Sequence, residues 1–176
     1  MPTTSAPTTT RTLVIMRHAK AEQSGPTDAE RLLASRGLAD ATVAGAWLAG
    51  QGITPDAALV SAATRTQMTW DAVCEAAGWD VEAVLDEGLY DAGPETALDL
   101  VRAVGPAVTT LLLIGHNPTV SYLAQLLDDG EGDDDASTRM TIGFPTCALA
   151  VLTFEGDWAE LDEASASVVS FRVGRA

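Results

Sequence analysis

The stretch Thr12-Leu13-Val14-Ile15-Met16-Arg17-His18 decides how this chain is read. Its first five residues form a short, continuous run rich in β-branched side chains. Such a run predicts a strand buried on both faces, as in a parallel sheet. Arg17 and His18 follow at once, so they stand at the carboxyl end of that strand.

Working outward, the pattern recurs. Residues 57–61 and 110–115 predict two more buried strands, 147–154 a fourth and 167–173 a last, with 79–85 as a short edge strand. Between them lie helical patterns. Ser35–Ala49 carries Val43, Ala44, Trp47 and Leu48 on one face. Thr64-x-x-Gln67 has capping-box spacing and opens a helix to Ala77, striped by Met68, Ala72 and Ala76. Pro94–Val104 is helical. Asn117-Pro118 reads as an N-cap followed by Pro at the first helical position, with the helix running to Leu127. Thr27 and Glu30 have capping-box spacing and predict a short helical turn. Residues 86–94 are irregular.

Strands alternating with helices predict an α/β protein, a three-layer α/β/α sandwich around a mostly parallel sheet. Ligands of such sheets bind outside the carboxyl ends of the strands. Arg17, His18, Arg65 and His116 all fall at that edge.

Composition bounds the function. A chain of 176 residues fits one domain, placed at 11–176 behind a Thr/Pro-rich, disordered tail at 1–10. Ten basic against 25 acidic residues give a net charge of −15, which argues against nucleic-acid and membrane partners. An anion site must therefore be built locally. Lys20 is the only lysine, and His18 and His116 are the only histidines. Cys74 and Cys147 form no CxxC pattern and read as small core residues in a reducing compartment. There is no apolar run long enough to span a membrane, and the N-terminus does not resemble a signal peptide; the cytoplasm is expected. Residues 128–135 hold six carboxylates in eight positions and read as a solvated loop. The spacing and closing Glu of an EF-hand calcium loop are missing.

Two arginines and two histidines at one sheet edge suit a phosphate. Guanidinium forks match phosphoryl oxygens, and helix N-termini after Thr64 and Asn117 add N–H groups. A neutral imidazole in that pocket has a lone pair to attack phosphorus. Two histidines without a carboxylate cluster make a poor metal site. The residues alone lead to an anion-binding α/β domain.

The segment Leu13-Val14-Ile15-Met16-Arg17-His18-Ala19-Lys20 resembles the histidine phosphatase signature, a strand followed by Arg-His-Gly, with Ala19 in place of the Gly. Arg-His-Ala-Lys is similar to the SixA-type phosphohistidine phosphatase branch of that superfamily. Arg31-x-Leu33 with Arg36-Gly37, Ser61 to Thr69, and Leu113-Ile114-Gly115-His116-Asn117-Pro118 resemble three further family segments in the expected order. The resemblance implies a phosphoglycerate mutase-like fold and needs neither metal nor other cofactor. It implies His18 as the nucleophile that becomes phosphorylated, with Arg17, Arg65 and His116 binding phosphoryl oxygens. Leu85-Asp86-Glu87-Gly88-Leu89-Tyr90 is similar to the mutase segment carrying the general acid, which nominates Glu87, with Asp91 as the neighbouring alternative. Lys20 would add positive potential at the rim.

The span between Glu87 and the strand at Thr110 reads as one helix, so no cap domain covers the pocket. An open pocket suits phosphohistidine on a protein, or a small phosphomonoester. The alternatives are a phosphoglycerate mutase-like phosphotransferase and a non-catalytic phosphate-binding module.

Overall fold

The computed structural model describes residues 7–176. The tail expected over 1–10 falls at 1–6 outside the described residues, and Thr10 already belongs to the first strand. In chain order the elements are β1 (Thr10–Arg17), α1 (Ser35–Gly50), β2 (Ala57–Ser61), α2 (Thr64–Ala77), β3 (Ala83–Asp86) and α3 (Pro94–Arg102). They continue with β4 (Thr110–Gly115), α4 (Thr119–Leu127), α5 (Asp134–Ile142), β5 (Ala148–Glu155), a 3-10 turn at Trp158–Glu160, and β6 (Ser167–Val173).

One six-stranded sheet runs β3-β2-β4-β1-β5-β6. The pairs β3·β2, β2·β4 and β4·β1 are parallel, while β5 and β6 close the other side antiparallel. Both faces are covered, which is why the central strands are continuously apolar. Leu13, Ile15, Leu111 and Leu113 point into a core shared with α3, α4 and α5. Val14, Met16, Leu112 and Ile114 point into the opposite core with α1 and α2. These are the three expected layers. Two glycines let α1 sit close. A Cβ on Gly37 would lie 2.1 Å from the Lys20 carbonyl oxygen, and one on Gly45 would lie 2.3 Å from that of Val73.

Several local expectations are corrected. Residues 27–30 make a turn and no helix; Thr27 Oγ1 instead donates to Glu30 Oε2 at 2.7 Å. The buried face of α1 is Gly37, Asp40, Ala41, Ala44, Gly45 and Leu48, displaced from the expected stripe because close backbone packing favours small residues. That of α2 is Arg65, Thr66, Thr69, Trp70 and Val73, not the Met68 stripe. The Thr64–Gln67 capping box does not form. Ala63 is the cap position, and the Gln67 amide donates to the Ala62 carbonyl at 2.7 Å. Asn117 caps nothing: Pro118, after a cis peptide bond, precedes α4. The acidic stretch is not all loop. Asp133 caps α5 by accepting from the Ala136 N–H at 2.8 Å, with Asp134 and Asp135 in the first turn, where the helix dipole favours negative charge. The edge strand is confined to 83–86.

Candidate active site

Parallel register brings the strand ends level. Arg17 of β1 pairs with Gly115 of β4, and Val60 of β2 with Ile114 of β4. His18, Ser61 and His116 therefore emerge side by side, and Arg65 follows in the first turn of α2.

His18 is held at its backbone from both sides. Its N–H donates to the Gly115 carbonyl at 3.1 Å, and its carbonyl accepts from the Cys147 N–H at 3.0 Å. Its ring Nδ1 lies 2.7 Å from the Ala19 carbonyl oxygen. A carbonyl only accepts, so Nδ1 carries the proton and the Nε2 lone pair is free. The ring is buried, with 8% exposure. Burial, then the neighbouring His116, Arg65 and Arg17, lowers its pKa to about 3 despite the Ala19 carbonyl, which favours the charged form. His18 is thus neutral at physiological pH.

The His116 ring centroid is 5.3 Å from that of His18. Its Nδ1 is 3.4 Å from Arg65 Nη2 and its Nε2 is 2.7 Å from Ser61 Oγ. Arginine only donates, so in this arrangement Nδ1 accepts and Nε2–H donates to Ser61. Burial first, then Arg65 and Arg17 against the opposing pull of Asp28, lowers the His116 pKa to about 4.

Arg65 is 5% exposed. Its Nη1 donates to the Asp28 carbonyl at 2.8 Å, and its Nη2 pairs with the Asp28 carboxylate at 3.3 Å. Thr69 ties this turn to the segment after His18: its hydroxyl donates to the Arg65 carbonyl at 2.7 Å and accepts from the Ala19 N–H at 3.0 Å. Arg17 is half-buried, and its Nη1 donates to the Phe144 carbonyl at 3.3 Å. The same carbonyl takes the Asn117 amide at 2.8 Å. Among the described residues, Nε of Arg17 and Nε of Arg65 are buried without a partner. Burial also lowers the Arg17 pKa.

The fold therefore gathers Arg17, His18, Arg65 and His116. Glu87 lies farther out, exposed in the loop after β3. With Ala29, Ala62, Ala63 and Tyr90 it lines a recess of about 330 Å³. Asp91 and Lys20 are also exposed; the Lys20 carbonyl accepts from the Ala34 N–H at 2.9 Å. Sequence reasoning missed Asp28, Ser61, Thr69 and Tyr90 as site residues. Ser61 and Thr69 sit inside the segment already singled out around Arg65. Asp28 lies in a polar loop with no periodicity to mark it. Among the described residues, no group of three or more His, Cys, Asp or Glu side chains is placed to hold a metal ion, the acidic 128–135 stretch included.

Residues 13–94 match the Histidine phosphatase superfamily (branch 1). An uncharacterised protein of Mycobacterium tuberculosis is 42% identical, covering 91% of this chain and all of that one. The phosphohistidine phosphatase SixA of Escherichia coli is 31% identical over 66% of this chain and 74% of its own. A solved SixA-type structure from Nakamurella multipartitia superposes with a TM-score of 0.85 and 32% identity, covering 97% of this chain and all of that one. The chain belongs to the histidine phosphatase superfamily, in its SixA-type branch. Its architecture is phosphoglycerate mutase-like, with the single helix α3 between β3 and β4 and no cap domain among the described residues. Membership supports phosphatase activity. No described helix is long and apolar enough to cross a membrane.

Proposed function

We propose that this chain is a metal-independent phosphatase that hydrolyses phosphohistidine on a partner protein through a covalent intermediate on His18. The observation that carries the reading is the Nδ1 contact of His18 with the Ala19 carbonyl, which leaves Nε2 unprotonated beside Arg17, Arg65 and His116. The Nε2 lone pair attacks phosphorus while the bond to the leaving group breaks and that group departs with the electron pair. Arg17 and Arg65 neutralise the phosphoryl oxygens. When a phosphoryl oxygen takes the place of Arg65 Nη2 at Nδ1, His116 adopts its other tautomer: the Ser61 hydroxyl then donates a hydrogen bond to Nε2, and Nδ1–H donates to the phosphoryl oxygen. Water then attacks phospho-His18, releasing inorganic phosphate and restoring neutral His18.

An imidazole leaves more readily than an alkoxide, so such a substrate asks less of a general acid. That fits the exposed position of Glu87, whose carboxylate has no hydrogen bond to the four core residues in the structure. For an alkoxide leaving group Glu87 would donate the proton, then activate water, with Asp91 as its neighbour. The absence of an inserted cap between β3 and β4 supports a protein-borne substrate, reached by one catalytic domain over 11–176. Free Cys74 and Cys147 suit the reducing cytoplasm.

Rapid quench with a labelled phosphomonoester, beside a phosphohistidine protein, tests both levels. An acid-labile, base-stable phosphoenzyme that disappears in His18→Ala is expected. Near-normal turnover by His18→Ala would remove the nucleophile assignment. A metabolite used with equal or better kcat/KM would remove the protein-substrate assignment.

A further inference from the structure

Arg65 is the most buried of the site's two guanidinium groups, yet a single residue holds two of its nitrogens. Asp28 takes Nη1 with its backbone carbonyl at 2.8 Å and Nη2 with its carboxylate at 3.3 Å. Two contacts from one residue fix the plane of the fork as well as its position. Asp28 itself sits on an exposed loop, with 56% of its side chain accessible, so it too must be held. Arg31 Nε donates to Oδ1 at 3.0 Å, and the Tyr90 hydroxyl donates to Oδ2, the oxygen that faces Arg65.

Tyr90 reaches three groups at once. Besides its bond to Asp28, its ring centre is 5.8 Å from the Arg65 guanidinium carbon. It also stands perpendicular to the His116 ring at 5.6 Å. Asp28 belongs to the loop between β1 and α1, and Tyr90 to the loop between β3 and α3. Their hydrogen bond joins two loops across the side of the pocket where Arg65 and His116 meet.

We propose that Asp28 and Tyr90 form a positioning pair that aims Arg65 at the phosphoryl oxygens, an inference that rests on reading Arg65 as a phosphoryl ligand. Neither residue needs to touch substrate. Electrostatics makes the idea decidable, because it gives the opposite sign. A carboxylate beside an anion site repels the anion, so if Asp28 were only a nearby charge, its neutralisation would tighten oxyanion binding. If it orients Arg65, neutralisation weakens binding.

The test is calorimetric titration with orthovanadate, which requires no turnover and so stands apart from the identity of the physiological substrate. Asp28→Asn keeps the backbone carbonyl and the side-chain shape. Its vanadate Kd is expected to rise about 10-fold, and that of Tyr90→Phe about 3-fold, because each loses one charge-assisted or orienting hydrogen bond. In an Arg65→Ala background, adding Asp28→Asn is expected to change Kd by less than about 2-fold, since coupled residues are non-additive. Unchanged or tighter binding by Asp28→Asn overturns the proposal. So does an undiminished loss in the Arg65→Ala background. Tyr90→Phe, which keeps the ring, provides the same reading should Asp28→Asn fail to fold.

Discussion

Two arginines stand at opposite ends of the same strand, and they differ in how many of their donors are spent. Arg11, near the amino end of β1, is 2% exposed. Its Nε donates to the Gly156 carbonyl at 2.7 Å, Nη1 to the carbonyls of Pro106, at 3.1 Å, and Val108, and Nη2 to the Asp157 carboxylate at 3.0 Å. The Trp158 ring lies against it at 5.7 Å. Arg17, at the carboxyl end, is less buried but has one carbonyl partner at 3.3 Å and an Nε with none among the described residues. Burial therefore does not mark the arginine proposed to bind phosphate. Unspent hydrogen-bonding capacity does, because buried donors are normally satisfied and a site must keep some in reserve. On the proposed reading, one end of β1 serves stability and the other serves binding.

The contrast can be broken in order of effect size. The largest effect belongs to the binding end: His18→Ala is expected to cut turnover by about 10⁴-fold or more and to abolish phosphoenzyme, with the circular dichroism spectrum retained. Residual activity near wild type would show that this end of β1 is not the reacting end. Next come the arginines themselves. Arg17→Ala should lower kcat/KM about 100-fold while moving denaturant stability little. Arg11→Ala should lose about 3 kcal/mol of stability, since four acceptors lose their donor, and keep its activity per folded molecule. Similar profiles for the two variants would erase the distinction.

A smaller effect separates the ends by pH. An unfolded imidazole titrates near its ordinary value of 6.5, but folded His18 and His116 titrate only at about 3 and about 4. Between these values the unfolded chain binds more protons, so acid favours unfolding. The stability from neutral imidazoles is intact above about pH 6.5 and lost as pH falls toward 4 and then 3. Asp28, held at about 2 by Tyr90 and then by Arg65 and Arg31, adds its loss only below its ordinary 3.8. Urea unfolding at pH 7 and near pH 4.5 should show His18→Ala spared about 2 kcal/mol of the wild-type acid loss, whereas Arg11→Ala should show the wild-type loss. Equal acid sensitivity in His18→Ala would contradict the assigned desolvation. The smallest expected effect lies away from both ends. Asp133→Ala removes the cap of α5 and should cost about 1 kcal/mol in thermal unfolding, with kcat unchanged.

Continuous apolar strands and helical patterns were enough to read the order of the six strands and of α1 to α4, because burial on both faces leaves its mark on Leu13–Met16 of β1 and Leu111–Gly115 of β4. The ends of β2 and β4 were legible to the residue. Caps were not. Thr64 and Asn117 have cap chemistry, but Ala63 takes the cap position of α2 and Pro118 that of α4, and Asn117 instead binds the Phe144 carbonyl. Helix α5 was hidden because its first turn is made of residues that repel one another in an extended chain and become favourable only at a helix N-terminus.

The same division holds for the site. Residue types at strand ends were enough to expect Arg17, His18, Arg65 and His116 at one edge, since parallel strands place their carboxyl ends there whatever their separation in sequence. Which tautomer His18 adopts, and that Asp28 and Tyr90 grip Arg65, depended on distances across loops from different parts of the chain. Local sequence records which groups are present. Direction, burial and pairing arise only when the packed sheet brings those loops within hydrogen-bonding reach.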